Sequence, residues 1–125
     1  MERKRIQKIT DLEVYNLSYS LAVEIFRLSK SFPKEELYSL TDQIRRSSRS
    51  VPANISEGFA KRHHTNIFKN HLLIAIGSSE ETKTWLDFSK DFSYLNEEDH
   101  KLISSRYTHL GSKLYCLIQT WRSYQ

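Results

Sequence analysis

From Ile103 to Tyr124 the apolar residues Ile103, Tyr107, Leu110, Leu114, Leu117, Trp121 and Tyr124 recur at spacings of 4, 3, 4, 3, 4 and 3. An α-helix lines such positions up on one face, whereas a strand alternates with period two and would scatter them over both sides. A seam of this kind buries itself against other helices. The alternatives are poorly supplied: three glycines and two prolines in 125 residues are too few for a sandwich or barrel, which needs a turn signal every ten residues or so.

The rest of the chain reads as three more helices. Asp11 is a suitable N-cap for a first helix from Leu12 to about Ser31, closed by Phe32-Pro33 because the residue before proline avoids helical geometry. It carries two apolar rows, Tyr15, Tyr19, Ala22, Phe26 and Val14, Leu21, Ile25, Leu28, a face wider than one seam. A second helix is expected from about Glu36 to Arg62, continuous but kinked at Pro52, which takes away the bond to the Ser48 carbonyl. His63 and His64 form a turn, and Thr65 is the expected N-cap of a third helix reaching about Phe92. Gly77, Ser78 and Ser79 make a small-residue patch at its middle. Asn96, with Asp99 three residues on, caps the fourth helix from Glu97 to about Tyr124. Four amphipathic helices with short connections predict an all-α, up-down-up-down antiparallel bundle over residues 11–125, preceded by a basic leader at 1–10 that is either disordered or an arm that orders on a partner.

The stretch LTDQIRRSSRSVPANISEGFAKR, Leu40 to Arg62, has the least ordinary chemistry. Its apolar row is broken by Ser47 and Ser48, with Gln43, Asn54 and Glu57 beside it. In an antiparallel hairpin turning near His64, facing residue numbers sum to about 129. That sets Ser47 and Ser48 opposite Glu81, and Ser50 and Val51 opposite Ser78. A carboxylate facing the bundle needs a cation, so a polar seam of Gln43, Arg46, Ser50, Asn54, Glu57, Ser78 and Glu81 is expected, with Arg46 and Glu81 paired across the helices.

The formal charge is +4, unevenly spread. Arg3, Lys4, Arg5 and Lys8 crowd the leader. Arg45, Arg46, Arg49, Lys61, Arg62 and Lys69 face one acid, Glu57, between Gln43 and Ser79, while from Glu80 to Asp99 seven acids oppose Lys83 and Lys90. One basic end and one acidic end are the footprint expected of a protein that meets a polyanion.

Several chemistries are read as absent. Glu97-x-x-His100 has the spacing of a di-iron ligand pair, but a di-iron bundle needs a second such motif and two more inward glutamates, and the chain has no second motif. His63 and His64, adjacent in a turn, share no helix face. No serine has a local base, and no glycine-rich phosphate loop follows a strand. Neither enzyme, metal nor cofactor is expected. Cys116, among Leu114, Leu117 and Ile118, reads as a small buried hydrophobe. No apolar run approaches a membrane span and no signal-peptide core is present, so the protein is read as soluble and cytoplasmic.

LTDQIRRSSRSVPANISEG followed by AIGSSEE resembles the four-helix-bundle proteins encoded in intervening sequences of bacterial 23S rRNA genes, with Asp11-Leu12-Glu13-Val14 and FPKEELYSLTDQIRR as further matching pieces. The resemblance spans about Asp11 to Trp121. Its specific elements are Asn54, Ile55, Glu57, Gly58 and Gly77, Ser78, Glu81. Ser47 and Ser48 stand where that family usually has alanine, Arg49 where an apolar residue is common, and Thr82 where leucine is usual. The resemblance implies a left-handed bundle assembling as a ring, typically a homopentamer, and has a distant relative in the accessory protein of diversity-generating retroelements, which binds nucleic acid and a reverse transcriptase. The combined reading is a non-enzymatic oligomeric bundle that binds nucleic acid, RNA before DNA, through Arg3, Lys4, Arg5, Lys8, Lys61, Arg62 and Lys69. The alternative is a protein-interaction scaffold with no nucleic-acid role.

Overall fold

The computed structural model describes residues 5–122. The chain enters through a short 3-10 helix, Ile9–Asp11, and four α-helices follow: α1 Glu13–Ser29, α2 Leu40–Ala60, α3 Thr65–Asp91 and α4 Glu97–Thr120. Among the described residues there is no strand, and no helix is long and apolar enough to cross a membrane.

Side-chain bonds set the helix boundaries. The Asp11 carboxylate does not cap α1. It accepts the backbone N–H groups of Gln7 and Lys8 at 2.9 and 3.0 Å, closing the 3-10 turn, and α1 starts two residues later behind the buried Leu12. Ile6 and Ile9 pack against the core, so the leader joins the fold from Ile6 onward. At the other end α1 stops at Ser29, with Lys30 as a C-cap still in right-handed helical conformation, ahead of Pro33.

The second helix begins later than its sequence suggests. Lys34–Glu36 form a 3-10 turn, Ser39 departs from helical geometry (φ −131°, ψ −109°), and α2 starts at Leu40. The cause lies in Glu36. Its carboxylate accepts the Leu40 N–H at 3.2 Å and the Tyr94 hydroxyl at 2.9 Å, so it caps α2 from four residues back and ties the α1–α2 connection to the α3–α4 connection. Pro52 lies inside a single uninterrupted α2, as expected. Thr65 is the first residue of α3 rather than its cap. His64 precedes it with no side-chain bond, and its carbonyl receives the N–H groups of Ile67 and Phe68.

The end of α3 closes with Ser93 at φ 66°, where Ser93 N–H bonds the Lys90 carbonyl and Tyr94 N–H the Ser89 carbonyl, a Schellman pattern. Asn96 caps α4 as predicted, its Oδ1 accepting the Asp99 N–H at 2.7 Å.

The helices run antiparallel in sequence order, and α4 returns beside α1. On α2 and α3, Ser47 meets Thr82, Ser50 meets Ser78 and Asn54 meets His71, so numbers rise on one as they fall on the other. Glu13 pairs with Lys113 and Glu24 with Arg106 across α1 and α4. The core is built from the stripes the sequence marks: Leu21 and Ile25; Ile44, Val51 and Ile55; Phe68, Leu72, Ala75 and Leu86; Ile103, Tyr107, Leu110 and Leu114, each no more than 1% exposed. Leu117 and Trp121 continue the α4 seam at its margin, and Tyr124 lies outside the described residues.

One expectation is corrected by helix rotation. Cys116 is exposed, because it sits two residues past Leu114 and therefore about 200° round the helix from the buried face. Gly77 does not serve a close helix approach, since a Cβ there would meet nothing within 4 Å. The close approach is at Gly58, where a Cβ would stand 2.6 Å from His71 Cβ. The row Tyr15, Tyr19, Ala22, Phe26 enters the core only in part: Ala22 is buried and Tyr15 packs against the core, while Tyr19 is 56% and Phe26 46% exposed.

Candidate nucleic-acid interface

Antiparallel topology gathers cations that are distant in sequence. The start of the described chain, the α2–α3 turn and the end of α4 all lie at one end of the bundle. Phe68 of α3 carries Trp121 edge-on at 4.8 Å and lies 6.3 Å from Phe59 of α2, so the three segments share one aromatic floor.

At this end of the bundle lie Arg5, Lys8, Lys61, Arg62, Lys69 and Arg122. Arg5, Lys8 and Lys61 are exposed; Arg62 and Lys69 are half-buried. The Arg62 guanidinium lies 4.1 Å over the Phe59 ring while Nη1 donates to the Phe59 carbonyl at 3.1 Å, which fixes the group and leaves its other donors unbonded within the described residues. Lys61 Nζ is 3.5 Å from Glu57, an exposed pair that screens rather than removes its charge. Arg3 and Lys4 lie outside the described residues.

Arg122 was missing from the sequence reading. It has no basic neighbours along the chain, and only the direction of α4 brings it to this end. The opposite end carries Glu35, Glu36, Asp91, Glu97, Glu98 and Asp99, with Lys30, Lys34, Lys90 and Lys101 among them.

The polar seam between α2 and α3 is in place, with a different membership. Ser50 Oγ and Ser78 Oγ are 2.9 Å apart, and Asn54 Nδ2 donates to the Ser50 carbonyl at 2.9 Å. Asn54 Oδ1 lies 3.3 Å from His71 Nδ1, and His71 Nε2 lies 3.6 Å from Glu57. Asn54, Glu57 and Gly58 thus converge on one histidine: two hold its ring nitrogens and the third leaves room for its Cβ.

Gln43, Arg46 and Glu81 do not join them. All three are exposed, and Glu81 accepts the indole N–H of Trp85 at 3.1 Å instead of pairing with Arg46. The register was right, since Ser47 and Thr82 sum to 129, but the residue facing α2 at that level is Thr82. Glu81 precedes it by one residue, about 100° of helix rotation, and so points outward. The Glu97-x-x-His100 spacing also has a structural use. His100 Nε2 is 2.8 Å from Asp87 of α3, joining the two helices near their connection.

The sequence over residues 10–116 matches the family described as 23S rRNA-intervening sequence protein. The chain belongs to that family. Among solved structures it is similar to a protein of unknown function from the S23 ribosomal protein family of Bacteroides thetaiotaomicron VPI-5482, with a TM-score of 0.77 and 30% identity, covering 86% of this chain and 99% of that one. No curated protein matches the chain. Within the 23S rRNA-intervening sequence family, the Asn54–Glu57–Gly58 element acquires a packing role here, as the holder of His71.

Proposed function

We propose that this member of the family is a non-enzymatic, self-associating bundle that binds nucleic acid, RNA foremost, through the basic end. The observation that supports the reading is the convergence of Arg5, Lys8, Lys61, Arg62, Lys69 and Arg122 from separate segments onto one end, with the carboxylates concentrated at the other. Phosphate contacts release counterions, so affinity should fall steeply as salt rises. The test is retention of RNA against salt concentration, repeated with Lys61, Arg62 and Lys69 together changed to Glu. Loss of retention in the triple variant, with helical content unchanged by circular dichroism, supports the reading. Absence of retention by the native chain at low salt overturns it.

Self-association is supported by α3. Ile74, Phe88 and Phe92 are about half exposed, and Trp85, Phe88, Phe92 and Tyr94 follow one another at ring spacings of 5.7 to 5.9 Å. A continuous apolar strip of this kind is what a protein contact covers. A head-to-tail contact closes into a ring when its rotation allows, and the family resemblance implies five copies. Light scattering in reducing buffer tests this; a mass of 14.8 kDa, one chain, overturns it. The same strip favours the second reading, a scaffold for another protein, if RNA is not retained.

A further inference from the structure

Between α1 and α2 runs a groove of 470 Å³, within the roughly 300–1,000 Å³ typical of small-ligand sites. Its α1 wall is the row whose Tyr19 and Phe26 stay out of the core. Tyr15 and Tyr19 have ring centroids 6.0 Å apart, and Phe26 stands further along. Its α2 wall carries the small residues Ser48, Pro52, Ala53 and Ser56 and the cations Arg45 and Arg49. Among the described residues no acidic side chain lines it.

Both guanidinium groups are tethered by Nε. Arg45 donates to Ser29 Oγ at 2.8 Å while stacking 4.6 Å from the Phe26 ring, and Arg49 donates to the Arg45 carbonyl at 3.0 Å. Within the described residues the Nη edges of both are left without acceptors. Such edges suit the paired oxygens of a phosphate; Phe26 already carries Arg45 and, at 5.0 Å, Lys30 Nζ, and the exposed ring of Tyr19 with the uncovered part of Phe26 offers apolar surface to a planar group. The groove starts at the basic end: Tyr15 is in the first turn of α1 and Ser56 one turn before the end of α2.

We propose that this groove is a nucleotide site, which takes an unpaired base of single-stranded RNA onto Tyr19 and Phe26 and its adjoining phosphate onto Arg45 and Arg49. The proposal rests on the nucleic-acid reading above and extends it from charge to strand type. An aliphatic side chain would fill the floor but leave both guanidinium forks without a counter-charge; a base with its phosphate meets both. Duplex RNA keeps its bases stacked inside and has nothing to offer the floor, so the site selects single strands.

The experiment measures binding of a fluorescent ten-nucleotide single-stranded RNA, and of the same sequence as a duplex, across a salt series. The native chain is compared with Y19S/F26S, with R49Q and with the Lys61, Arg62, Lys69 reversal. Tyr19 and Phe26 are exposed, so their replacement leaves the core intact, which circular dichroism checks. The expected result is that Y19S/F26S weakens single-strand binding about tenfold, leaves duplex binding alone and keeps the salt slope, because stacking releases no counterions. R49Q should lower the slope by about one contact.

If Y19S/F26S binds both RNAs like the native chain while the lysine–arginine reversal still abolishes binding, the groove proposal fails and the basic-end reading stands. If the native chain binds neither RNA at low salt, both fail. If Y19S/F26S keeps its RNA affinity but its mass in reducing buffer drops, a second copy covers the groove and the nucleotide site is wrong.

Discussion

Thr82 of α3 and Ser47 of α2 meet hydroxyl to hydroxyl, with Thr82 Oγ1 2.8 Å from Ser47 Oγ and 2.9 Å from the Ser78 carbonyl. Both side chains are buried. The two buried polar side chains compensate each other. A buried hydroxyl is costly alone and nearly free with a partner.

A double-mutant cycle follows. S47A and T82V are each expected to cost about 1 kcal/mol in urea unfolding, because each removes the bond between the two hydroxyls, leaving Thr82 the Ser78 carbonyl alone and Ser47 the Ile44 carbonyl alone. The double variant should cost about as much as one single change, giving a coupling of about 1 kcal/mol. Strict additivity would mean that the two hydroxyls do not act together.

Two of the three helical glycines should behave oppositely. At Gly58 an added methyl meets His71 Cβ at 2.6 Å, backbone-anchored and unable to swing away. G58A is expected to destabilise by about 1–2 kcal/mol, the overpacking cost exceeding the gain of about 1 kcal/mol in helix propensity. At Gly77 nothing lies within 4 Å, so G77A should keep that gain and raise the unfolding midpoint.

Ser93 holds a left-handed conformation at φ 66°, at the C′ position of α3, where glycine carries no Cβ penalty. S93G is expected to stabilise by about 0.5–1 kcal/mol, readable as a higher melting temperature. A lower one would show that the side chain earns its place through another contact.

The Tyr94 hydroxyl bond holds the Glu36 carboxylate below its usual range, and the same bond pushes the Tyr94 phenol up. A depressed carboxylate contributes stability above its unfolded pKa and loses it as pH falls through the folded value. The melting temperature of Y94F should therefore lie below that of the native chain at pH 7, with the gap closing as pH drops from about 5 towards 3. A gap independent of pH in that window would assign the effect to packing against Phe32 and Phe92 instead.

Periodicity made the four helices and their antiparallel order legible, because a seven-residue repeat such as Ile103–Tyr107–Leu110–Leu114 tolerates errors of one residue at its ends. Rotation about a helix axis does not. Taking Glu81 for the inward residue instead of Thr82 predicted a buried ion pair where the structure has two hydroxyls. With Glu81 exposed on Trp85, E81A is expected to change stability by no more than about 0.5 kcal/mol, measured in the same urea titration. The start of α2 was illegible for another reason. Lys34-Glu35-Glu36 reads as a good first turn, and the carboxylate that redirects it answers to Tyr94, 58 residues away. Arg122 joins the basic end in the same way, through topology alone.

The separation of cations and carboxylates between the two ends makes the molecule an electric dipole along its long axis, about 40 Å for the 27 residues of α3. In the field of a polyanion such a body turns before it touches, basic end first. Salt should then act chiefly on the rate of encounter.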